Sequence, residues 1–474
     1  MPKTSETLAK KIVYPPGPKD ALFGITLYRA SQREPLRFME RLSRTFGDVV
    51  HFKIGKQEVY LLNHPDLIKG VLLSHYTNFV KGRGVVRRNN FFGEGLLTSE
   101  GDFHRRQRQQ TQPAFHHERL GVYGAVMSKL AVDASDSWEV GKPLDVLGAM
   151  RQITLPITSH TLFGANVSTS HDEIIDAFRT GLTQFRLFKP TATRVVDSFS
   201  MAQRWRVKRA RSRLEHLISR IIAERRAQPT ERGDLLSLLL SRNSGEGDTH
   251  GSDQQIRDEA VTLFIGGFES IATALTWTWY LLTHHPECEL KLHQELDTVL
   301  NGRLPEVSDV PRLPYTRMVL EEAMRLYPPV PRLVRTAVGE YQAGTYTIPG
   351  RSLVVVSQYL MHRDARYFPD PEKFDPERWT VPAKSSRPPY SFFPFGGGPR
   401  RCIGEGFAYM EGVLVLATLA SRWKLMLNTS TPLELNVTHF LHPRNLTMTI
   451  ARRSADVNVG VLQSVNKSMC AVGR

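Results

Sequence analysis

The chain is poor in cysteine and has no long apolar run. Its 474 residues include three cysteines, Cys288, Cys402 and Cys470, which are far apart in the sequence. Such an odd and sparse set excludes a disulfide framework as the basis of the fold. The longest apolar runs, 274–282 and 413–420, are shorter than the ~18 residues of a membrane span and fit buried helices. Any special role of a cysteine must therefore be chemical.

Acidic residues and targeting signals are also in short supply. The first 18 residues are polar and then rich in proline, so we expect neither a secretory signal nor a membrane anchor, and a cytoplasmic enzyme. Asp and Glu number 47 against 62 Lys and Arg, a net charge of +15 that can steer an acidic protein, nucleic acid or anionic lipid. The arginine-dense helical segment 203–226 has no aromatic residue except Trp205, which favours a solvated helix face and no nucleic-acid partner.

Periodicity indicates the main elements. Residues 48–55 and 56–63 alternate around Gly55–Lys56, which predicts a pair of strands, and residues 433–441 are typical of a further strand. Residues 253–284 have helical periodicity and are apolar nearly all round after the first turns, which predicts a helix that crosses the core.

The absence of repeats and of low-complexity linkers favours one large domain. With 41% hydrophobic and 23% charged residues, the chain has the composition of a globular protein. We expect a mainly α fold with a small β portion over residues 14–451, preceded by a tail at 1–13 and followed by a loose polar tail at 452–474.

The strongest chemical signal is the segment FFPFGGGPRRCIGEGFA, residues 392–408. It describes a tight loop that delivers the sulfur of Cys402 to a helix amino terminus, where free N–H groups favour a thiolate, the form that ligates haem iron. Gly396–Gly398 let the backbone approach a flat cofactor, Gly404 lets the next helix pass it, and Phe395 packs beside the sulfur. A free buried cysteine beside a glycine turn would not need the whole segment.

This loop resembles the haem-binding loop of the cytochrome P450 superfamily, in particular its soluble, bacterial-type haem-thiolate monooxygenases. The family pattern Phe-Gly-x-Gly-x-Arg-x-Cys-x-Gly is met at Phe395, Gly396, Gly398, Arg400, Cys402 and Gly404. The resemblance implies the P450 fold, with haem b (iron protoporphyrin IX) between the long central helix and the helix after the loop, and Cys402 as the iron ligand.

A second family motif precedes the loop. Glu-x-x-Arg occurs as Glu322 to Arg325, and Arg378 follows in a Pro-Glu-Arg triplet. A lone Glu and Arg three residues apart are usually a surface pair. In this order they resemble the family's buried Glu-Arg-Arg cluster, in which a carboxylate between two guanidinium groups locks a helix to the segment that feeds the loop.

The resemblance also implies cations for the two haem propionates. The family takes them from positions that correspond here to His104, Arg108, Arg335 and Arg400. Arginine suits this task because its charge is permanent and its hydrogen bonds to a carboxylate are bidentate. An ordinary surface histidine is the alternative reading of His104.

Above the iron the family places an Ala/Gly-Gly-x-Asp/Glu-Thr step, which this chain has as GGFES, residues 266–270. Paired glycines and a hydroxyl bonded to the Gly266 carbonyl would open a groove in the helix. Dioxygen cleavage consumes protons, so the resemblance implies Ser270 as the proton donor and Glu269 as its supply. Serine here replaces the usual threonine, so the methyl group that fixes the rotamer is missing. The alternative is a close helix-packing patch.

An apolar, aromatic pocket is expected beside this groove, which suits a terpenoid, fatty acid, steroid or aromatic substrate. Its candidate lining residues are Phe91, Phe92, Leu96, Phe264, Phe268, Val330 and Leu333.

The chain has no glycine-rich nucleotide loop in a strand-to-helix setting, so we expect a monomer that takes electrons from a separate ferredoxin or flavodoxin with its reductase. Arg105, Arg106 and Arg401 are candidates for a basic docking face. The expected function is insertion of one atom of dioxygen into a small apolar molecule by hydroxylation or epoxidation. The alternatives are a haem-thiolate isomerase or peroxide-dependent enzyme that needs no reductase, and a non-catalytic haem sensor or carrier.

Overall fold

The computed structural model describes residues 13–20, 24–82, 89–167, 170–182, 201–228, 234–241, 253–427 and 433–453. The tails predicted at 1–13 and 452–474 lie almost entirely outside the described residues.

Helices dominate the described residues, which confirms the mainly α fold class. They are α1 Ile25–Arg33, α2 Pro35–Phe46, α3 Pro65–Lys69, α4 Asn89–Phe92, α5 Gly101–Thr111, α6 His117–Ser135, α7 Val146–Phe163, α8 His171–Leu182, α9 Met201–Ala227, α10 Leu235–Ser241, α11 Asp253–His284, α12 Pro286–Leu300, α13 Pro314–Leu326, α14 Gln358–Met361, α15 Val381–Ser385 and α16 Glu405–Arg422.

The strands are short and form the smaller part of the fold. They are β1 Val49–Ile54, β2 Gln57–Leu62, β3 Phe79–Lys81, β4 Pro143–Asp145, β5 Leu333–Ala337, β6 Tyr341–Ala343, β7 Tyr346–Ile348, β8 Leu353–Val356, β9 Trp423–Leu427, β10 Glu434–Val437, β11 Leu441–Arg444 and β12 Thr447–Arg452. The largest sheet has the strand order β1-β2-β8-β5-β3. Its first two strands are the predicted pair, antiparallel with Ile54 opposite Gln57 and a turn at Gly55–Lys56.

The prediction of one strand over 433–441 is wrong. The segment is β10, a three-residue turn at Thr438–Phe440 and the start of β11, with Val437 opposite Leu441. The turn contains neither glycine nor proline, the residues that usually mark a chain reversal. The strand-like sequence pattern therefore continues through the turn without a break.

Helix α11 is the spine of the fold and has the predicted bounds, Asp253–His284. It is long and apolar enough to cross a membrane, but 83% of its apolar window is buried inside the protein, as in the core helix of a globular fold. Three of its buried threonines bond back to the helix: the Thr273, Thr276 and Thr278 hydroxyls each donate to the carbonyl four residues earlier.

Helix α16 carries the residues after Cys402 into the core. Its central turns, from Val413 to Ala420, are fully buried and pack against α6, α13 and α11. The loop before α16 is thereby fixed between the largest sheet and the spine helix. The two helices that bound the chemistry, α11 and α16, thus share one hydrophobic core.

Candidate active site

A cavity of about 400 Å³ lies between α11 and the loop that precedes α16. One wall is formed by Gly266 and Ser270 of α11, and the opposite wall by Phe395 and Cys402. Residues that are 132 positions apart in sequence, Ser270 and Cys402, therefore face one enclosed space.

Two glycines of the cysteine loop have backbone angles that other residues rarely adopt. Gly396 and Gly398 have φ angles of 73° and 63°, the left-handed region that glycine adopts without strain. A Cβ on Gly398 would also lie 1.9 Å from the carbonyl oxygen of Leu72. The loop closes where the Cys402 N–H donates to the Phe395 carbonyl at 2.9 Å.

The thiol of Cys402 lines the cavity and is exposed there. Burial raises the pKa of this thiol, and the N–H of Gly404 opposes that rise only in part. A bound metal cation would favour the anion over the thiol, because a coordinating thiol is deprotonated. Gly404 faces the same cavity, and a Cβ there would approach only Phe115, at 3.6 Å. The open side of Gly404 leaves room for a flat group.

Five cationic or titratable side chains line the end of the cavity next to the loop. They are Lys81, His104, Arg108, Arg335 and Arg400. Lys81 was not among the predicted residues; its ammonium group is buried and donates to the carbonyls of three residues, Leu96, Leu97 and Ser99. A lysine in a three-residue strand gives no local sequence signal of this role.

Positive charge in this cluster exceeds the negative charge that the protein supplies. Glu100 pairs with Arg400, while burial and the nearby Arg400 lower the pKa of Arg335 to about 10. Burial, Arg400 and other cations likewise lower the pKa of His104 to about 3, so it is neutral. Two further carboxylates would relieve this repulsion. A haem carries two propionate carboxylates, so the residues present fit a haem.

The groove predicted in α11 is present. The Ser270 hydroxyl donates to the Gly266 carbonyl at 3.1 Å, and a Cβ on Gly266 would meet nothing within 4 Å. The neighbouring Gly267 has a different role, because a Cβ there would lie 2.6 Å from the Thr158 side chain on α7. Gly266 therefore opens the helix toward the cavity, and Gly267 lets two helices pack.

Glu269 does not line the cavity, whereas Ser270 does, so a role of Glu269 in supplying protons to Ser270 stays a prediction. Its fully buried carboxylate receives two hydrogen bonds from Arg151, at 2.9 and 2.5 Å. His442 Nε2 lies 2.8 Å from the same group, off the line of a well-formed hydrogen bond. Burial acts to raise the pKa of Glu269, but His442 and Arg151 hold it below its usual value. Adjacent helix residues point about 100° apart, so Ser270 faces the cavity while Glu269 faces α7 and β11.

The apolar lining also differs in part from the prediction. Phe92, Leu96, Val330 and Leu333 line the cavity. Phe91, Phe264 and Phe268 do not; they are at most 2% exposed and pack into the core, where Phe264 contacts Phe163 and Phe268 contacts Phe178. The apolar lining that was not predicted includes Leu97, Leu162, Phe178, Ile271, Ala274 and Phe440.

The Glu322 carboxylate is at the centre of a buried network below the loop. Arg325 donates to both of its oxygens at 2.8 Å, the Trp379 indole donates at 2.9 Å and the Asp375 N–H at 3.0 Å. Arg378 Nε lies 3.4 Å away. Glu322 and Arg325 have no exposed side-chain surface, so the network ties α13 to the segment that leads into the loop.

Arg325 extends this network to the main chain. Its Nη1 donates to the carbonyls of His362 and Pro371, at 2.9 and 2.6 Å, and its Nη2 donates to that of Lys373, at 2.9 Å. One guanidinium group therefore fixes three backbone points as well as the carboxylate.

The surface next to the cysteine loop is basic. Arg105 and Arg106 are exposed on α5, and the exposed Arg401 precedes Cys402. Arg108 joins the two elements, since it donates to the Arg401 carbonyl at 2.6 Å. Arg401 is paired with Glu405, which reduces its charge toward a partner.

Comparison with known proteins gives a single answer. The family model described as cytochrome P450 matches residues 15–450. Cyclooctatin synthase of Streptomyces melanosporofaciens is 37% identical over 83% of this chain and 86% of that protein. Cyclooctat-9-en-7-ol 5-monooxygenase of the same organism is 35% identical over 85% and 87%. Pentalenene oxygenase of Streptomyces avermitilis is 33% identical over 89% and 94%.

Proposed function

The chain belongs to the cytochrome P450 family and is a haem-thiolate monooxygenase, and we propose that it hydroxylates or epoxidises a terpenoid. The observation that carries this proposal is the cavity between Ser270 and Cys402, whose wall above the loop is mainly apolar and aromatic. An apolar wall binds a hydrocarbon skeleton by burying its surface, and it offers few hydrogen-bond partners to a sugar or nucleotide. The names of the relatives, which include a monooxygenase of a cyclooctatenol and an oxygenase of pentalenene, support the terpenoid class.

For the cofactor we propose haem b, held by Cys402 and by the cations at the end of the cavity. Arg108, Arg335 and Arg400 would bind the propionates, with His104 as a further hydrogen-bond donor. When bound, this group supplies the redox-active iron at which dioxygen is activated. Phe395 and Gly404 line the place where its plane would lie.

For the oxygen side we propose that Ser270 holds and delivers a proton from its Oγ. The bond to the Gly266 carbonyl fixes the rotamer that the missing methyl group leaves free. Glu269 is proposed as a positioning residue, because its ion pair with Arg151 locks the turn of α11 that carries Ser270 to α7. Protons must then reach Ser270 through water in the cavity and not from Glu269 directly.

We propose that the electron donor is a separate protein, an acidic ferredoxin or flavodoxin with its own reductase. Arg105 and Arg106 give α5 an exposed basic edge beside the cysteine loop, which suits an acidic partner. We further propose that the enzyme is a cytoplasmic monomer, as expected from the sequence. The Glu322 cluster is proposed as purely structural.

Binding titrations with the purified holoenzyme test the substrate class. A substrate that binds beside haem would shift its Soret absorption, so terpenoids, fatty acids, steroids and simple aromatic compounds can be ranked by the midpoint of that shift. We expect terpene hydrocarbons, alcohols or acids to bind most tightly and to be oxygenated when a reductant is supplied. Tighter binding and faster oxygenation of a steroid or of a simple aromatic compound would overturn the terpenoid proposal.

A further inference from the structure

Apart from the propionate cluster, three polar side chains meet among apolar ones in the lining of the cavity. Arg332 precedes β5, Gln358 opens α14 and Thr438 lies in the turn between β10 and β11. All three line the cavity. Arg332 Nη2 lies 3.3 Å from the Thr438 carbonyl, and the Ser357 hydroxyl and the Tyr359 N–H both bond the Pro331 carbonyl, which brings the start of α14 beside Arg332.

These side chains have polar atoms that the protein leaves without hydrogen bonds. In the described part of the chain, Arg332 Nη1, Thr438 Oγ1 and both amide atoms of Gln358 are buried and make no hydrogen bond. Gln358 has no exposed surface at all. A buried polar group without a partner destabilises the fold unless a ligand supplies one. These four atoms belong to residues that line one cavity, which points to a ligand that completes them.

The charge of Arg332 is also uncompensated. Burial alone lowers the pKa of this guanidinium to about 10, and among the described residues no carboxylate pairs with it. Arg335, three residues later, belongs instead to the propionate cluster, because Arg400 and Glu100 act on it. Arg332 is therefore a separate cation, and the haem propionates do not account for it.

We propose that Arg332, Gln358 and Thr438 form a subsite for a carboxylate of the substrate. This inference rests on the proposed terpenoid monooxygenase function and refines it to a terpenoid acid. One guanidinium fork binds a singly charged carboxylate in bidentate fashion, and a neighbouring amide and hydroxyl add neutral hydrogen bonds. A diphosphate would bring several negative charges to a single cation. Anchoring the carboxylate here leaves the hydrocarbon skeleton against Val330, Phe440 and Ser270, the wall next to the haem position.

Two matched pairs of probes test the subsite. Abietic acid and methyl abietate share a terpenoid skeleton, whereas dodecanoic acid and methyl dodecanoate share a linear one, and within each pair only the charge changes. In wild-type holoenzyme we expect each acid to bind about tenfold more tightly than its ester in spectral-shift titrations, since one charge-assisted hydrogen bond is worth at least this much. Equal binding of acid and ester in both pairs would overturn the subsite, and this comparison needs no variant.

Three variants assign the preference to its residues. Arg332→Met keeps an unbranched apolar stem without the charge and should abolish the preference for the acid, while Arg332→Lys should keep part of it. Gln358→Glu places a second carboxylate beside the ligand and should weaken acid binding but not ester binding. Arg37→Met, which removes an arginine with a 75% exposed side chain on α2, is the control and should change neither. An acid preference that survives Arg332→Met would overturn the proposal.

The two skeletons separate this proposal from the terpenoid proposal. If both acids need Arg332 but only dodecanoic acid is oxygenated, the subsite stands and the terpenoid class falls. If abietane skeletons bind and are oxygenated with no difference between acid and ester, the terpenoid class stands and the subsite falls.

Discussion

The two walls of the cavity are built in different ways. On the side of Cys402 the loop is held by its own glycines, and the Glu322 network beneath it connects a carboxylate, an arginine and three backbone carbonyls within one stretch of sequence, 322–378. On the side of Ser270 the wall is assembled from α7, α11, β5 and the turn at 438–440, and several buried polar atoms there make no hydrogen bond within the protein. The Glu322 network beneath the first wall is made by contacts within the protein, whereas polar atoms of the second wall are left to be completed by a substrate.

This difference predicts that substitutions on the cysteine side reduce stability and haem content. Substitutions on the substrate side should instead change substrate binding and the share of electrons that ends in product. A side chain whose hydrogen bonds are all made within the protein can be removed only at the expense of the fold. A side chain whose polar atoms make no hydrogen bond within the protein can be replaced with little loss of stability. The predictions below test the contrast from the largest expected effect to the smallest.

Cys402→Ala is expected to have the largest effect, since it removes the sulfur that faces the cavity. The reduced, carbon monoxide-bound protein should lose the strongly red-shifted Soret band of sulfur-ligated haem, and monooxygenase activity should fall to background. Cys288→Ala is the matched control, because Cys288 is a buried free cysteine in α12 whose pKa burial raises to about 11. A Cys402→Ala protein that kept the red-shifted band would remove this residue as the ligand.

Glu322→Gln should destabilise the fold without touching the cavity. The substitution keeps the shape of the side chain but leaves Arg325 as a buried charge without its carboxylate, a change that costs about 3–5 kcal/mol. Urea denaturation should show the lower free energy of unfolding, and haem content after purification should fall with it. The control Glu287→Gln changes a carboxylate with a 66% exposed side chain on α12. A loss below about 1 kcal/mol at position 322 would contradict the structural role of the cluster.

The cysteine side could be predicted from the sequence because its signals are local. The spacing of Phe395, Gly398 and Cys402 encodes the loop almost completely, and the structure places Glu322 beside Arg325 and Arg378 as expected. The substrate side depends on contacts between residues more than 100 positions apart, such as Arg332 and Thr438. The sequence of one segment does not reveal such a contact. The turn at 438–440 on the substrate side also lacks the residues that mark turns.

Glu269 shows the same limit within one helix. The motif GGFES places an acid next to a hydroxyl in sequence, which suggested a relay, but the two side chains leave the helix in different directions. Only the positions of Arg151 on α7 and His442 on β11 reveal that the Glu269 carboxylate points away from the cavity. Motif matching identified the residue but could not determine the direction of its side chain.

Ser270→Ala should separate electron consumption from product formation. Haem binding and substrate binding should be unchanged, but a larger share of the electrons should end in peroxide or water, because a proton donor is missing. Losing a hydrogen bond to a developing charge costs about 1.5–3 kcal/mol, so product per electron should fall about 10-fold or more. Ser270→Thr keeps the hydroxyl, so coupling in this variant should stay close to that of the wild type. Unchanged coupling in the alanine variant would remove Ser270 from proton delivery.

Glu269→Gln offers the matching test one residue away. It weakens the ion pair with Arg151 but adds nothing to the cavity, so we expect lower stability with coupling closer to wild type than in Ser270→Ala. A pH profile of coupling measures the difference, since direct proton supply by Glu269 would make the profile of the glutamine variant flat. Such a flat profile, with stability unchanged, would return Glu269 to the relay.

Reversing one exposed charge should have the smallest effect, and it concerns the outer surface of the cysteine side. Arg106→Glu changes an exposed residue of α5 that lines no part of the cavity, so substrate binding should not change. A single exposed ion pair is worth about 0.2–1 kcal/mol, so reduction by an acidic ferredoxin should slow by about 1.5- to 5-fold at low salt. The difference from wild type should vanish near 1 M salt, where the screening length is about 3 Å. Lys56→Glu, in the turn between β1 and β2, is the control for net charge. A rate that is equally sensitive to both substitutions would mean that total charge, and not the α5 face, guides the partner.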